Sequence, residues 1–122
     1  MSNKVILIID DDSRNIFALS AVLRSRHYES ISASDMKEAF VILNQRDDIG
    51  IILLDMMMPV MDGYEALPKI REIEKYKTVP IIAVTAQAMV GDRERCLNAG
   101  ADNYISKPVD VTELFKQIDQ FL

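Results

Sequence analysis

The chain has 122 residues, a length that suits one domain with its own hydrophobic core. Hydrophobic residues make up 49% and charged residues 27%, as in ordinary globular proteins, and the net charge is -5. This acidic balance argues against a nucleic-acid-binding domain, and the single cysteine, Cys96, excludes an internal disulfide and a cysteine-based zinc site.

The sequence shows no pattern of a targeting or membrane segment. The first apolar run, 5–9, is too short for the core of a signal peptide, and no small-residue cleavage site follows it. No apolar stretch reaches the roughly 18 residues that span a bilayer. We therefore expect a cytoplasmic protein that binds neither membranes nor nucleic acid.

Short apolar runs recur along the chain and predict five strands. The runs at 5–9, 51–54 and 80–84 are almost continuously apolar, which is typical of strands buried on both faces of a parallel sheet. The run at 30–33 is mixed, which favours a place nearer the edge of the sheet. The run at 103–105 is the weakest of the five.

Helical patterns lie between these runs. Residues 14–26, 36–45 and 111–121 repeat apolar side chains every three or four positions, which is typical of amphipathic helices. A further helix is expected at about 63–74. It contains Pro68, which removes a backbone hydrogen bond and crowds the preceding turn, so we expect a kink or an irregular first turn there.

Helix ends are also indicated by particular residues. Asp35 followed by Glu38, and Asp110 followed by Glu113, resemble capping boxes in which Asp replaces Ser or Thr. Gly100 follows a short helical stretch and is typical of the glycine just beyond a helix C-terminus.

The alternation of strand and helix, repeated five times, predicts an α/β fold. Right-handed crossovers then give a doubly wound, three-layer sandwich around a parallel sheet. The alternative is a fragment of a larger Rossmann-type sheet. The chain holds only four glycines and no G-x-G-x-x-G motif, which disfavours that alternative.

Polar residues follow four of the five predicted strands. In open parallel sheets, ligands bind beyond the carboxyl ends of the strands, so these residues are expected to converge at one edge. They are, in chain order, Asp10, Asp11 and Asp12, then Asp55, then Thr85, and finally Ser106, Lys107 and Pro108.

Their chemistry suits phosphoryl transfer to a carboxylate. Clustered carboxylates need a cation to stay ionised together, and Mg²⁺ prefers such oxygen ligands. A carboxylate can accept a phosphoryl group covalently, while a metal, a lysine and a hydroxyl neutralise the charge on its oxygens. Taken singly, an acidic triplet is more often a solvated turn or helix cap, Thr85 a packed strand residue and Lys107 a surface lysine. The occurrence of all these residues at successive strand ends favours a phosphoryl-transfer site.

The ordered motifs resemble those of the receiver domains of response regulators. They are Ile8-Ile9-Asp10-Asp11-Asp12, Leu53-Leu54-Asp55 through Met61-Asp62-Gly63, Val84-Thr85-Ala86, and Tyr104-Ile105-Ser106-Lys107-Pro108. The resemblance covers the whole chain, which we expect to be one receiver domain over residues 1–122. It implies a flavodoxin-like, five-stranded parallel sheet of order 2-1-3-4-5 with five helices.

The resemblance also implies a metal site and an acceptor. Asp55 is the phosphoacceptor, and it binds Mg²⁺ or Mn²⁺ together with Asp11 and the main-chain carbonyl of Met57. Asp10 holds the metal through water or is an occasional ligand. Asp12 matches no fixed role, and we expect it in a turn or at a helix N-cap.

Further roles follow from the same resemblance. Lys107 contacts the phosphoryl group or the acceptor carboxylate, and the Lys107–Pro108 peptide bond is expected to be cis. Thr85 supplies a switch hydroxyl, and Tyr104 is the aromatic ring that moves with it. An output partner of unknown identity is expected on the face formed by residues 86–121.

The phosphoryl donor is expected to be another protein. His27 is the only histidine and lies far in sequence from every acidic strand end, so a sensor histidine kinase or a histidine phosphotransfer protein must supply the phosphohistidine. The stretch from Thr85 to Cys96 most resembles receivers attached to hybrid sensor kinases. In this interpretation the chain is a signalling phosphoacceptor and not an enzyme acting on other substrates.

Two other functions are open to the same residues. Asp10-x-Asp12 after a first strand resembles haloacid-dehalogenase-like phosphatases, but those enzymes need a cap or a longer sheet and a later acidic pair. A degenerate receiver that only binds partners is the second. The acidic pair, with Asp55, Thr85 and Lys107, argues against it.

Overall fold

The structure is a computed structural model that describes residues 4–86 and 91–122. Strands and helices alternate through the described residues. In chain order the elements are β1 (Val5–Ile9), α1 (Ser13–Ser25), β2 (Ser30–Ala33), α2 (Met36–Gln45), β3 (Ile49–Asp55), α3 (Gly63–Arg71), a 3₁₀ turn (Glu74–Tyr76), β4 (Ile81–Thr85), α4 (Asp92–Ala99), β5 (Asn103–Ser106) and α5 (Val111–Phe121).

The five strands form one parallel sheet in the order β2-β1-β3-β4-β5. This is the order that the resemblance implied. Every residue of the three inner strands is buried, whereas the edge strands β2 and β5 are only partly buried. The continuous apolar runs therefore correspond to strands covered on both faces, as the sequence predicted.

Two hydrophobic cores lie on opposite faces of the sheet. Leu7 and Ile9 of β1 face the core formed with α2, α3 and α4. Ile6 and Ile8 face the core formed with α1 and α5. Because side chains alternate along a strand, β1 serves both cores, and its carboxyl end is held rigidly between two helical layers.

The two predicted capping boxes are only half formed. Asp35 accepts a hydrogen bond from the Glu38 backbone N–H at 2.8 Å, and Asp110 accepts one from the Glu113 N–H at 3.1 Å. In a full capping box the glutamate carboxylate would also accept from the N–H of the N-cap residue. At α2 the Glu38 carboxylate instead accepts from the backbone N–H of Ser34 at 2.8 Å. The helices therefore begin where expected, but with a different partner for the glutamate.

Helix α3, for which a kink or an irregular first turn was expected, begins with a complete capping box. Asp62 accepts from the Glu65 N–H at 3.0 Å, and the Glu65 carboxylate accepts from the Asp62 N–H at 3.4 Å. The helix continues through Pro68 and ends at Arg71, earlier than the expected 74. The N–H of Glu72 is shared between two carbonyl groups, which tightens the final turn.

The loop between β3 and α3 is closed at its base by a close backbone approach. The Gly63 N–H donates to the Met56 carbonyl at 3.2 Å. A Cβ atom at Gly63 would lie 2.8 Å from the Met56 Cα, so only glycine fits without a shift. The loop that follows Asp55 is therefore pinned at both ends.

Val60, at the tip of this loop, has a left-handed backbone with φ of 70° and a fully exposed side chain. That conformation costs an L-residue about 1–2 kcal/mol, and asparagine tolerates it far better than valine does. We expect Val60→Asn to raise the free energy of unfolding by about 0.5–1 kcal/mol, measured by urea denaturation. Val41→Asn, at an exposed position of helix α2, is the matched control and should bring no gain. A destabilised Val60→Asn protein would contradict the prediction.

Candidate functional site

Four strand ends bring their polar residues together at one edge of the sheet. Asp10 follows β1, Asp55 ends β3, Thr85 ends β4 and Lys107 follows β5. The Lys107 Nζ lies 3.3 Å from one Asp10 oxygen and 3.5 Å from one Asp55 oxygen. The side chains of Asp10, Asp55 and Lys107 therefore lie together, and the strand that Thr85 ends lies between β3 and β5.

Three carboxylates surround a position that suits a divalent cation. Asp10, Asp11 and Asp55 each offer one oxygen, and these oxygens all lie within 4.8 Å of one another. Asp10 is 2% exposed and Asp55 4% exposed, whereas Asp11 is open to solvent. Lys107 lies beside Asp10 and Asp55 and brings one positive charge to a cluster of three carboxylates, so a hard divalent ion with oxygen ligands fits both the charge and the donor set.

Asp10 and Asp11, the first two of the three aspartates after β1, differ in the hydrogen bonds that their carboxylate oxygens accept. One Asp10 oxygen accepts from the Asp12 N–H at 2.9 Å, and the other accepts from Asn15 at 3.0 Å and from Lys107. These protein donors hold Asp10 in place, which fits an indirect role toward a metal. Asp11 is the more accessible carboxylate. Asp12 caps α1 by accepting from the Arg14 N–H, which fits the expected turn or N-cap role.

Asn15 is a site residue that the sequence analysis missed. It lies in the first turn of α1 and donates to Asp10 across five positions of the chain. The one available signal was its place just after the acidic triplet, on the helix that starts at the sheet edge.

The Asp55 carboxylate is held from two sides. One oxygen accepts from the Met57 backbone N–H at 2.9 Å, while the other faces Lys107. The pKa of Asp55 is raised, chiefly by burial and also by the negative charge of Asp10. The hydrogen bond from the Met57 N–H and the positive charge of Lys107 lower this pKa in part. The Met57 side chain itself is about half-exposed.

The remaining predicted residues lie beside the acceptor on β4 and β5. Thr85 is buried and pairs with Ser106, and its carbonyl accepts from the Lys107 N–H at 2.8 Å. Tyr104 is partly buried against the core that α4 covers. Burial raises the pKa of Tyr104, and the nearby Asp92 adds to the rise. The Lys107–Pro108 peptide bond is cis.

The raised pKa of Asp55 has a consequence for stability without metal. The unfolded chain releases this proton at lower pH than the folded chain does, so the folded state loses stability as pH rises through that window. Asp55→Asn should therefore stabilise the protein in EDTA at pH 7, by on the order of 1 kcal/mol. At pH values near or below about 3.9, the pKa of aspartate in the unfolded chain, the stabilisation of Asp55→Asn relative to the wild type should be smaller. Urea unfolding at the two pH values measures it, with the exposed Asp11→Asn as the control expected to gain less. Equal stability of Asp55→Asn and wild type at pH 7 would contradict the argument.

A family model described as the response regulator receiver domain matches residues 6–119. The chain therefore belongs to the response regulator receiver domains of two-component and phosphorelay systems. Members of this family are signalling phosphoacceptors and not classical enzymes. No helix among residues 4–86 and 91–122 has the length and apolar character needed to cross a membrane.

Two curated relatives differ greatly in the share of their length that this chain covers. The chain is 36% identical over 120 residues to the hybrid signal transduction histidine kinase I of Dictyostelium discoideum, covering 93% of this chain and 7% of that protein. It is also 36% identical over 116 residues to an uncharacterised 14.6 kDa protein of Leptolyngbya boryana, covering 95% of this chain and 88% of that one.

Solved structures of receiver domains share the fold over nearly the whole chain. The receiver domain of the sensor histidine kinase PA1611 from Pseudomonas aeruginosa PAO1 is 37% identical, with a TM-score of 0.87 and 98% of both chains covered, and it has a magnesium ion coordinated in its active site cleft. The Ssk1 receiver domain of Saccharomyces cerevisiae, solved with the histidine phosphotransfer protein Ypd1, is 28% identical, with a TM-score of 0.87 and coverage of 98% and 89%.

Proposed function

We propose that this protein accepts a phosphoryl group on Asp55, in a reaction that needs Mg²⁺, and that it thereby controls a partner. The observation that carries the proposal is the buried Asp55 carboxylate, which faces Lys107 at 3.5 Å inside a cluster of three carboxylates. The magnesium ion of the Pseudomonas receiver, which is 37% identical, supports the same chemistry at this edge. Residues 1–122 are proposed to form one cytoplasmic receiver domain.

In the proposed reaction the chain positions its own nucleophile. The Met57 N–H fixes one Asp55 oxygen, and a carboxylate oxygen of Asp55 forms a bond to phosphorus as the donor's phosphorus–nitrogen bond breaks. The Lys107 ammonium, already beside Asp55, neutralises charge on a phosphoryl oxygen. Asp11, Asp55 and the Met57 carbonyl would hold Mg²⁺ or Mn²⁺, which supplies further positive charge when bound. Asp10 would act through water or as an occasional ligand.

The phosphoryl donor in this proposal is the phosphohistidine of a sensor histidine kinase or a histidine phosphotransfer protein. His27 follows the C-terminal end of α1, whereas Asp12 caps the start of that helix beside the acidic cluster. A helix of 13 residues is about 20 Å long, so His27 lies at the wrong end to serve the site. The Ypd1–Ssk1 complex, in which a similar receiver meets a phosphotransfer protein, supports a donor of this kind.

The test is an intact-mass measurement with a small phosphoryl donor. Incubation with acetyl phosphate and Mg²⁺ should add one phosphoryl mass to the protein, and EDTA should prevent the gain. The covalent product should be labile to hydroxylamine, as an acyl phosphate is. No mass gain with Mg²⁺, or an equal gain in EDTA, would overturn the proposal.

The metal ligands can be tested by calorimetry. Asp11→Asn should weaken Mg²⁺ binding by at least about tenfold, because it removes the most accessible carboxylate of the cluster. Asp12→Asn removes the same charge one residue further on, from a side chain used in helix capping, and serves as the matched control. Equal Mg²⁺ affinity in the two variants would show that Asp11 is not a ligand.

A further inference from the structure

An apolar groove lies beside the acidic cluster, between α2 and the loop that joins β3 to α3. Its volume is about 500 Å³, and we call it the α2 groove. Its apolar walls come from Met36 and Phe40 on one side and from Met58 and Met61 on the other. A volume of this size falls within the roughly 300–1,000 Å³ of small-molecule pockets, which also have mostly apolar walls and few polar groups.

One end of the α2 groove is shared with the acidic cluster. Asp11 lines the groove, and its carboxylate oxygen lies within 4.8 Å of the ligand oxygens of Asp10 and Asp55. Lys37 also lines the groove. The Asp35 carboxylate, a third charged group there, accepts the N-cap hydrogen bond of α2. A cation held at the cluster would offer coordination to an anionic oxygen at this end of the groove.

We propose that the α2 groove binds small anions that carry an apolar body, such as an aryl phosphonate. The head group would reach the cation held at Asp11, and the apolar body would lie against Phe40, Met58 and Met61. Methionine side chains adapt readily to such ligands. The bound anion would occupy the open side of the metal and so compete with phosphoryl donors. This inference rests on the proposed metal site of Asp11 and Asp55.

The direct test compares phenylphosphonate with methylphosphonate by NMR, with Mg²⁺ present and no phosphoryl donor. Both anions can reach the metal, but only the phenyl compound can fill the groove. Phenylphosphonate should bind about tenfold more tightly, since burying its ring removes apolar surface from water. It should shift backbone amide signals of residues 36–40 and of Met58, Val60 and Met61, and EDTA should abolish its binding. Equal affinity of the two anions, or phenylphosphonate binding that survives EDTA, would overturn the proposal.

Variants separate the groove from the metal. Phe40→Ala should reduce the preference for the phenyl compound to about threefold or less. Val41→Ala, at an exposed position of the same helix, should keep that preference, and methylphosphonate should bind both variants as it binds wild type. Val60→Asn, which changes the rim of the groove at an exposed loop position, gives a second variant that does not depend on core packing. A preference left unchanged in both Phe40→Ala and Val60→Asn would exclude the groove.

Competition provides an independent functional measurement. Phenylphosphonate should slow labelling by acetyl phosphate at concentrations about tenfold below those at which methylphosphonate does so. Labelling without any phosphonate tests the proposed function alone, so its failure is distinguishable from failure of the groove. Equal inhibition by the two anions, in a protein that is labelled normally, would count against the groove and leave the acceptor role of Asp55 intact.

Discussion

Asp55→Asn protein is expected to gain no phosphoryl mass from acetyl phosphate and Mg²⁺, under conditions in which the wild type gains one. The asparagine side chain keeps the shape of aspartate and can still accept from the Met57 N–H, but it lacks the anionic oxygen that attacks phosphorus. The expected loss is complete within detection. Because the substitution also removes a buried carboxylate from the cluster, the variant should stay folded.

The control variants address the neighbouring carboxylates. Asp12→Asn should be labelled as the wild type is, because Asp12 serves as the N-cap of α1. Full labelling of Asp55→Asn would place the acceptor elsewhere, and Asp10, the other buried carboxylate of the acidic cluster, would be the first residue to test. Sustained hydrolysis of p-nitrophenyl phosphate that is lost in an Asp10 variant would instead favour the phosphatase alternative.

The sheet and its functional edge could be predicted from local patterns. Continuous apolar runs identified the inner strands, and a parallel sheet places all its strand ends at one edge, so Asp10, Asp55, Thr85 and Lys107 could be brought together in advance. The bounds of β3 were less predictable. The strand begins at Ile49, which pairs with Val5, and the register then shifts at Gly50. A Cβ atom at Gly50 would lie 2.7 Å from the Lys4 Cβ, so the close approach of the two chains needs glycine.

Contacts that depend on the path of the folded chain could not be predicted in this way. Glu38 has two possible backbone donors near the start of α2, and the choice of Ser34 depends on the path of the chain leaving β2. The α2 groove needs a helix and a loop that only the folded sheet brings together. Part of the predicted output face, residues 87–90, lies outside the described residues, so its role rests on the sequence resemblance.

The proposed signalling step depends on Thr85. Phosphorylation of Asp55 replaces its carboxylate charge with a phosphoryl group that carries about -1.5 to -2 charge and three strong acceptor oxygens at the sheet edge. Thr85 ends the strand next to β3, where Asp55 pairs with Val84, so its hydroxyl can be drawn toward the new group. We propose that this movement lets Tyr104, on the adjacent strand, turn further into the core beneath α4. A packed core has few alternative arrangements, so a small shift at Asp55 can become a discrete rearrangement.

Thr85→Ala should therefore separate phosphorylation from signalling. Addition of beryllofluoride, a phosphoryl mimic, to the wild type should change NMR signals across α4, β5 and α5. The Thr85→Ala protein should still bind the mimic and still gain phosphoryl mass, but it should lose most of those changes. Thr85→Val removes the hydroxyl while keeping a branched side chain, so it tests whether lost packing at this buried position explains the result.

Thr112→Ala is the matched control, because it removes an exposed threonine hydroxyl from the first turn of α5. Its response to beryllofluoride should match that of the wild type, with changes over residues 91–121. If those changes persist in both Thr85 variants, the Thr85 hydroxyl does not drive the rearrangement. If they cluster on α1 instead, the output face differs from the proposed one, which consists of α4, β5 and α5.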